Sequence, residues 1–357
     1  MKQISMMIKP ASSSCNLRCK YCFYADVSSH REITTHGIMK EETAARLCAR
    51  VNEALAGKGR ANISFQGGEP TLAGLSWFRH FVSTMKTYPG IETVYALQTN
   101  GTLLNEEWAD FFAENRFLIG VSLDGYQSNM DMFRMDAENS SVYFTILKNI
   151  DLLRKKKVEF NILTVVTKNL AAHPEGLLKY YFSHDMHFIQ LIPCLPSFEN
   201  DKDPFALTPK EYADFFIRFF DGWVKETAKG NYMSVNLFDN LYEMINGRYP
   251  YQCGMIGRCS QQFVIEANGD VYPCDFYCLD EYLLGNIKES SFEQLALQPP
   301  AKELLTSEYK KKPCRTCRYV NLCHGGCRRQ NVCYVDDDAC AYEKVLDHVI
   351  PILSRMQ

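Results

Sequence analysis

Between residues 4 and 192, short apolar runs alternate with longer stretches of helical spacing, and this alternation limits the fold more than any other feature. Strand-like runs fall at residues 4–8, 62–66, 93–98, 117–123, 158–166 and 187–192. Helical spacing falls at 40–56, 75–86, 105–114, 142–156 and 170–182, with Asn105 placed as an N-cap and Pro174 near the start of the last stretch. Strands separated by helices form a parallel sheet with right-handed crossovers. Six such strands fit a partial (β/α)6 barrel better than a short open sheet, and in that architecture functional residues gather where strands end. Four motifs sit at such ends: a cysteine loop after the first strand, Gly67-Gly68-Glu69-Pro70 after the second, Gln98-Thr99-Asn100-Gly101 after the third and Ser122-Leu123-Asp124-Gly125 after the fourth.

The cysteine loop reads Cys15-Asn-Leu-Arg-Cys19-Lys-Tyr-Cys22-Phe23-Tyr24. Soft thiolates at this C-x3-C-x2-C spacing can hold three irons of a 4Fe–4S cluster and leave the fourth iron open. A structural zinc site asks for four protein ligands in paired short spacings, and this loop supplies three. An open iron beside a Gly-Gly-Glu-Pro turn points to a ligand with amino and carboxylate groups, which the amino acid end of S-adenosylmethionine provides. Glycines let backbone approach such a ligand, and Glu69 or a backbone carbonyl can accept from its ammonium.

The chain has 357 residues and 46% hydrophobic content, enough for a large domain and a smaller one. A net charge of −3 gives no general affinity for nucleic acid or an anionic membrane. The apolar run at residues 4–8 is cut short by Lys9-Pro10, so it lacks the length of a signal-peptide core, and no stretch approaches a membrane span. A cytoplasmic monomer is expected. Fifteen cysteines in a reducing compartment point to metal rather than a disulfide framework.

After Pro196 the pattern changes. Residues 209–229 form an amphipathic helix whose Phe215, Phe216, Phe219, Phe220 and Trp223 read as core. Residues 236–245 form another, Asn268-Gly269-Asp270 marks a hairpin between 263–267 and 271–276, and 342–355 form a last helix. The boundary expected between the two domains lies at 232/233, giving 1–232 and 233–357. The second part carries Cys253, Cys259, Cys274, Cys278, Cys314, Cys317, Cys323, Cys327, Cys333 and Cys340, of which Cys278 has no assigned role. Zinc ribbons also use C-x2-C pairs, but the five-residue gaps and long separations fit them poorly. Cys48 and Cys194 read as ordinary buried thiols.

The strand-end motifs together resemble the radical S-adenosylmethionine superfamily, whose members generate a 5′-deoxyadenosyl radical. The resemblance implies that Cys15, Cys19 and Cys22 hold the cluster. It places Tyr21, Gly67, Gly68, Glu69, Ser122, Arg134 and Leu195 around S-adenosylmethionine: the glycines and Glu69 at the amino group, Ser122 near the ribose, Leu195 by its backbone near the adenine, and Arg134 at the carboxylate. The distant cysteines resemble the SPASM extension, which holds two auxiliary 4Fe–4S clusters, making three in all. Matched to that pattern, Cys253, Cys259, Cys274 and Cys327 ligate the first, and Cys314, Cys317, Cys323 and Cys340 the second, with Cys333 as the alternative to Cys340.

Closer agreement lies with the anaerobic sulfatase-maturating enzymes, in Ile8-Lys9-Pro10-Ala11-Ser12-Ser13, Cys22-Phe23-Tyr24, Phe65-Gln66-Gly67-Gly68-Glu69-Pro70-Thr71-Leu72-Ala73-Gly74, Leu97-Gln98-Thr99-Asn100-Gly101-Thr102 and Tyr272-Pro273-Cys274-Asp275-Phe276-Tyr277. That resemblance implies oxidation of a cysteine or serine, in a Cys/Ser-x-Pro-x-Arg segment of a sulfatase polypeptide, to Cα-formylglycine. It implies Asp275 as general base, Tyr24, Gln66 and Asn100 as substrate residues, and a flavodoxin- or ferredoxin-like electron donor. Two other readings compete: a maturase that crosslinks ribosomally made peptides, and a non-enzymatic iron–sulfur carrier or zinc scaffold. Only fourteen residues precede Cys15, too few for the leader-recognition domain that many crosslinking enzymes carry. A carrier has no use for a three-cysteine site beside Gly-Gly-Glu-Pro.

Overall fold

The structure is a computed structural model that describes residues 2–199, 203–256, 259–306, 311–336 and 338–356. Two compact units emerge, each assembled from separated stretches of chain. The first comprises Met1–Ser122, Arg134–Phe160 and Ser260–Leu305; the second comprises Leu123–Phe133, Asn161–Cys259 and Thr306–Gln357. Among the described residues the strands, in chain order, are β1 (Gln3–Ile8), β2 (Gly59–Phe65), β3 (Ile91–Thr99), β4 (Leu118–Ser122), β5 (Phe160–Val166), β6 (Phe188–Pro193), β7 (Ser234–Val235), β8 (Val264–Ile265), β9 (Asp270–Tyr272) and β10 (Gly285–Asn286).

In the first unit β1, β2, β3 and β4 pair in parallel and in sequence order, as the alternating pattern predicts. Helix Leu75–Lys86 packs Trp77, Phe78, Phe81, Val82 and Met85 inward. Phe65 of β2 meets Phe78 and Phe81 edge-on, with ring centroids 4.9 and 5.3 Å away, a geometry favoured by the aromatic quadrupole. Asn105 caps helix Glu106–Glu114 by accepting from the Trp108 N–H at 3.0 Å, as expected. The other edge of β1 was not legible in the sequence: β8 pairs with it in parallel, Met7 opposite Val264 and Ile8 opposite Ile265. The hairpin at Asn268-Gly269-Asp270 then returns the chain antiparallel through β9, with Gly269 at φ +98°. This pairing carries the segment around Cys274 and Asp275 into the first unit.

In the second unit β5, β6 and β7 pair in parallel. Helix Pro209–Ala228 opens with a capping box between Thr208 and Glu211 and buries Phe215, Phe216, Phe219, Phe220 and Trp223, so that aromatic stripe is core. The Trp223 indole donates to the Met233 carbonyl at 2.7 Å. The single helix expected at 170–182 is two: Lys168–Ala171 and Pro174–Ser183. Pro174 has no N–H to continue the first, but its fixed φ suits the start of the second. Helix Ala341–Leu353 packs against Pro209–Ala228, with His348 Nε2 2.6 Å from Asp221. The sequence reading missed helices Phe23–Ser29 and Gln127–Phe133; both are too short to show a clear period. Among the described residues no helix is long and apolar enough to cross a membrane.

Candidate functional site

In the first unit the Gly-Gly-Glu-Pro turn packs directly on the cysteine loop. The Gly68 N–H donates to Ser12 O at 2.9 Å and the Glu69 N–H to Ser14 O at 2.8 Å. A Cβ at Gly67, whose φ is +113°, would lie 2.6 Å from Ser12 O, and one at Gly68 only 2.1 Å from Ser14 O. Both glycines are therefore required by the approach of the cysteine loop itself. Glu69 is 0% exposed. Its Oε1 accepts from Thr71 N, Thr71 Oγ1 and Thr99 Oγ1 at 3.0, 2.6 and 2.8 Å, and Oε2 accepts from Asn100 N at 2.7 Å. Burial raises the Glu69 pKa, and these hydrogen bonds work against that rise. Glu69 thus ties the ends of β2 and β3 together, with one acceptor direction left on Oε2.

The Cys15 sulfur has N–H donors around it. Cys15 Sγ accepts from Leu17 N at 3.3 Å and lies 3.8 Å from Asn100 Nδ2, which also donates to Asn16 Oδ1 at 2.9 Å. Such donors suit a thiolate that ligates iron. Asn100 therefore faces the loop that the sequence assigns to the cluster. Arg134 is buried, and its guanidinium stands over the Tyr21 ring at 5.6 Å from the centroid; it is not a loose surface arginine. Arg18 N–H donates to Met135 O at 2.8 Å, holding that segment against the cysteine loop. Ser122 is the last residue of β4 and is half-buried.

Asp275 follows Cys274 at the start of a short 3-10 turn and is 7% exposed. Tyr24, on helix Phe23–Ser29, reaches Asp275 Oδ2 at 2.7 Å and Gln66 Oε1 at 3.0 Å. A phenol has one proton, so it serves the carboxylate, and the Gln66 amide can turn its NH2 toward the phenol oxygen. Asp275 Oδ1 lies 3.1 Å from Lys9 Nζ as an ion pair without hydrogen-bond geometry. Lys9 is 3% exposed. Its ammonium also lies 3.7 Å from Glu266 Oε1, 3.2 Å from Cys278 Sγ and 5.0 Å from the Tyr24 ring centroid. Glu266 in turn accepts from Arg31 at 2.7 Å and Ser12 Oγ at 2.8 Å.

Burial disfavours the Lys9 ammonium, but Cys278, Asp275 and Glu266 outweigh it and hold its pKa above the ordinary lysine value. Burial likewise opposes ionisation of Glu266, and Lys9 and Arg31 overcome it, lowering its pKa. Burial pushes the Cys278 thiol up to about 12, with Lys9 working against that rise. The sequence reading left Cys278 open and passed over Lys9, Arg31 and Glu266. The available signal was a charge placed inside each of two apolar runs, at Lys9 and at Glu266.

In the second unit Cys314, Cys317, Cys323 and Cys340 line one pocket, together with Val320, Tyr334, Val335, Tyr342 and Glu343. Burial pushes the Cys323 thiol up to about 11, and Cys317, Cys340 and Cys314 add to the rise. Four sulfurs around one pocket are a donor set suited to an iron–sulfur cluster. Cys333 is outside that lining; it is buried, and its thiol donates to Cys194 O at 3.4 Å. Cys253, Cys259 and Cys327 form a separate group: burial pushes Cys259 up to about 11, with Cys253 and Cys327 adding to the rise. A Cβ on Gly254 would lie 2.9 Å from Cys327 Cβ, so the chain there is packed tightly. Leu195 lies just past the end of β6, its carbonyl 3.9 Å from Cys194 Sγ. Cys48 and Cys194 are buried, as expected.

Residues 10–180 match the Radical SAM superfamily, and residues 253–318 match SPASM, an iron–sulfur cluster-binding domain. The chain is 44% identical over 335 residues to the cysteine-type anaerobic sulfatase-maturating enzyme of Clostridium novyi (strain NT), with 92% of this chain and 89% of that protein covered. It is 28% identical over 384 residues to the serine-type anaerobic sulfatase-maturating enzyme of Bacteroides thetaiotaomicron (strain ATCC 29148), with 100% of this chain and 92% of that protein covered. The solved structure "Native anSMEcpe with bound AdoMet and Cp18Cys peptide" matches with a TM-score of 0.91 at 38% identity, over 99% of each chain. The α/β class with a C-terminal iron–sulfur region, expected from the sequence, is the class these matches share.

Proposed function

The chain belongs to the anaerobic sulfatase-maturating enzymes of the radical SAM superfamily, and from that membership we propose that it oxidises a cysteine of a sulfatase polypeptide to Cα-formylglycine without oxygen. The placement of Asp275 carries this reading: a buried carboxylate hydrogen-bonded to Tyr24 and ion-paired to Lys9, in the same unit as the Cys15 loop. The greater identity to the cysteine-type relative supports cysteine over serine as substrate.

Cys15, Cys19 and Cys22 hold the open-iron cluster, and Gly67, Gly68, Glu69, Tyr21, Ser122 and Arg134 receive S-adenosylmethionine. Cys314, Cys317, Cys323 and Cys340 hold one auxiliary cluster; Cys253, Cys259 and Cys327 are among the ligands of another. When bound, the first cluster and S-adenosylmethionine supply a 5′-deoxyadenosyl radical that takes a Cβ hydrogen, and the auxiliary clusters supply an acceptor for the second electron. Asp275 takes the thiol proton. Tyr24 fixes the other oxygen, and with Gln66 it faces the peptide. Asn100 acts on the substrate through the loop position it sets at Cys15. Loss of the proton and second electron leaves a thioaldehyde, which water converts to the aldehyde with release of hydrogen sulfide. Residues 1–232 form the radical-generating part and 233–357 the auxiliary-cluster part of a cytoplasmic monomer served by a flavodoxin- or ferredoxin-like donor.

Incubation with a reductant, S-adenosylmethionine and a Cys-x-Pro-x-Arg peptide tests the activity by mass spectrometry. Loss of the thiol with gain of an aldehyde is expected. A crosslinked or unchanged peptide would overturn the reading in favour of a crosslinking maturase or a carrier. The ligand set of the second-unit pocket has its own test. Cys340→Ala is expected to lower bound iron by about four atoms per chain, whereas Cys333→Ala keeps the full content. Equal loss in both variants would reject the assignment of Cys340.

A further inference from the structure

The buried charges behind Asp275 have no part in the proposed reaction, yet they form one connected set within the first unit. Lys9 sits at its centre, between Asp275 Oδ1 at 3.1 Å and Glu266 Oε1 at 3.7 Å, beneath the Tyr24 ring. Glu266 is itself fastened on both oxygens, by Arg31 and by Ser12. Ser12 belongs to the loop that accepts the Gly68 N–H, and the Lys9 N–H bonds Ile265 O at 2.8 Å. Two cations and two carboxylates therefore balance one another out of water, and each carboxylate is held from two sides.

We propose that Lys9 is a positioning residue for the base: its ammonium, locked by the Glu266–Arg31 pair, holds Asp275 Oδ1 while Tyr24 holds Oδ2, so that the carboxylate is fixed in one orientation. This rests on the formylglycine reading of the same site. Three observations support it. The Lys9 ammonium lies 3.1 Å from Asp275 Oδ1, an oxygen buried from solvent, and so holds that side of the carboxylate in place. Lys9 and Tyr24 grip opposite oxygens of one carboxylate and contact each other through the ring face, which fixes the carboxylate plane. A buried ion pair is weak evidence for stability alone, because desolvation offsets much of its attraction; here it places a charge beside a group with a job in proton transfer.

The test separates hydrogen abstraction from proton removal. A Cys-x-Pro-x-Arg peptide carrying deuterium at the cysteine Cβ is turned over by wild-type protein, Lys9→Met and Glu266→Gln. Label in 5′-deoxyadenosine counts abstraction, and aldehyde counts completed oxidation. For Lys9→Met the ratio of aldehyde to labelled 5′-deoxyadenosine is expected to fall at least tenfold, with iron content at the wild-type level. Glu266→Gln, which keeps the shape of the side chain, is expected to fall in the same ratio by a smaller factor and serves as the deciding variant if Lys9→Met does not load iron. A wild-type ratio in the variant that decides overturns the proposal. So does a proportional loss of label and aldehyde, the signature of a purely structural role. If wild-type protein abstracts label but makes no aldehyde, the formylglycine reading itself fails, a result distinct from either.

Discussion

Asp275→Asn is expected to lower formylglycine formation by about 10²–10⁴-fold, the usual range for a lost general base. Asparagine has nearly the size of aspartate and can still accept from the Tyr24 hydroxyl, which now stands 2.7 Å from Oδ2. It cannot take a proton from a thiol. The neighbouring Cys274 is untouched, and Lys9 retains Glu266 as a counter-charge at 3.7 Å, so folding and iron content are expected to persist. The measurement is quantitative mass spectrometry of the peptide beside chromatographic assay of 5′-deoxyadenosine. Aldehyde should fall much further than 5′-deoxyadenosine. Aldehyde at the wild-type rate would remove Asp275 from the role of essential base, and equal loss of both products would move its role to an earlier step.

The second large effect is expected at Gly68→Ala. The added methyl would lie 2.1 Å from Ser14 O and 2.5 Å from Ser13 O. Both are backbone atoms, so no side-chain rotation relieves the contact. Either the turn or the cysteine loop must move, breaking the bonds from Gly68 N to Ser12 O and from Glu69 N to Ser14 O. Overpacking of this kind costs about 1–3 kcal/mol, occasionally more, and each buried hydrogen bond left unmade adds about 1–3 kcal/mol. The strain falls between the two segments proposed to hold the cluster and S-adenosylmethionine. Reconstituted Gly68→Ala should therefore lose iron assigned to the first cluster and bind S-adenosylmethionine at least about tenfold more weakly, a tenfold change being about 1.4 kcal/mol. Electron paramagnetic resonance and equilibrium dialysis read these two quantities. Wild-type values in both would show that the turn can shift without cost. Gly74→Ala is a useful contrast: its added methyl meets only Ser76 Oγ at 3.9 Å, although its φ of +83° carries some strain.

The chain announces its chemistry through local spacing. Cys15, Cys19 and Cys22 fall within eight residues of one loop, and the alternation of strands and helices says which ends of the strands the motifs occupy. Asn105 is a cap by residue type and position, and the structure finds it capping. What stayed hidden was set by contacts distant in sequence. Ser12 and Glu266 are 254 positions apart, and Lys9 and Cys278 are 269 apart. No periodicity reports such pairs, because β8 is two residues long and its register on β1 is decided by the packing of the whole unit. Gly67 and Gly68 were legible as necessary but for an incomplete reason. Their freedom from a side chain serves the neighbouring loop, a steric fact visible only once two segments more than fifty residues apart lie together. The break at Pro174 was written in the residue itself, yet helical composition on both sides concealed it.

The pairing of β8 with β1 also has a consequence for how the molecule is made. β1 leaves the ribosome more than two hundred residues before one of its two neighbours, which begins at Val264. At about 5–20 residues per second of synthesis, that edge of β1 waits on the order of tens of seconds with unpaired backbone groups, an aggregation hazard of the kind long-range strand pairing creates. A truncated chain ending before residue 260 would keep this edge open permanently. Until residues 264–272 have emerged, that edge of β1 in the nascent chain has no β8 to pair with.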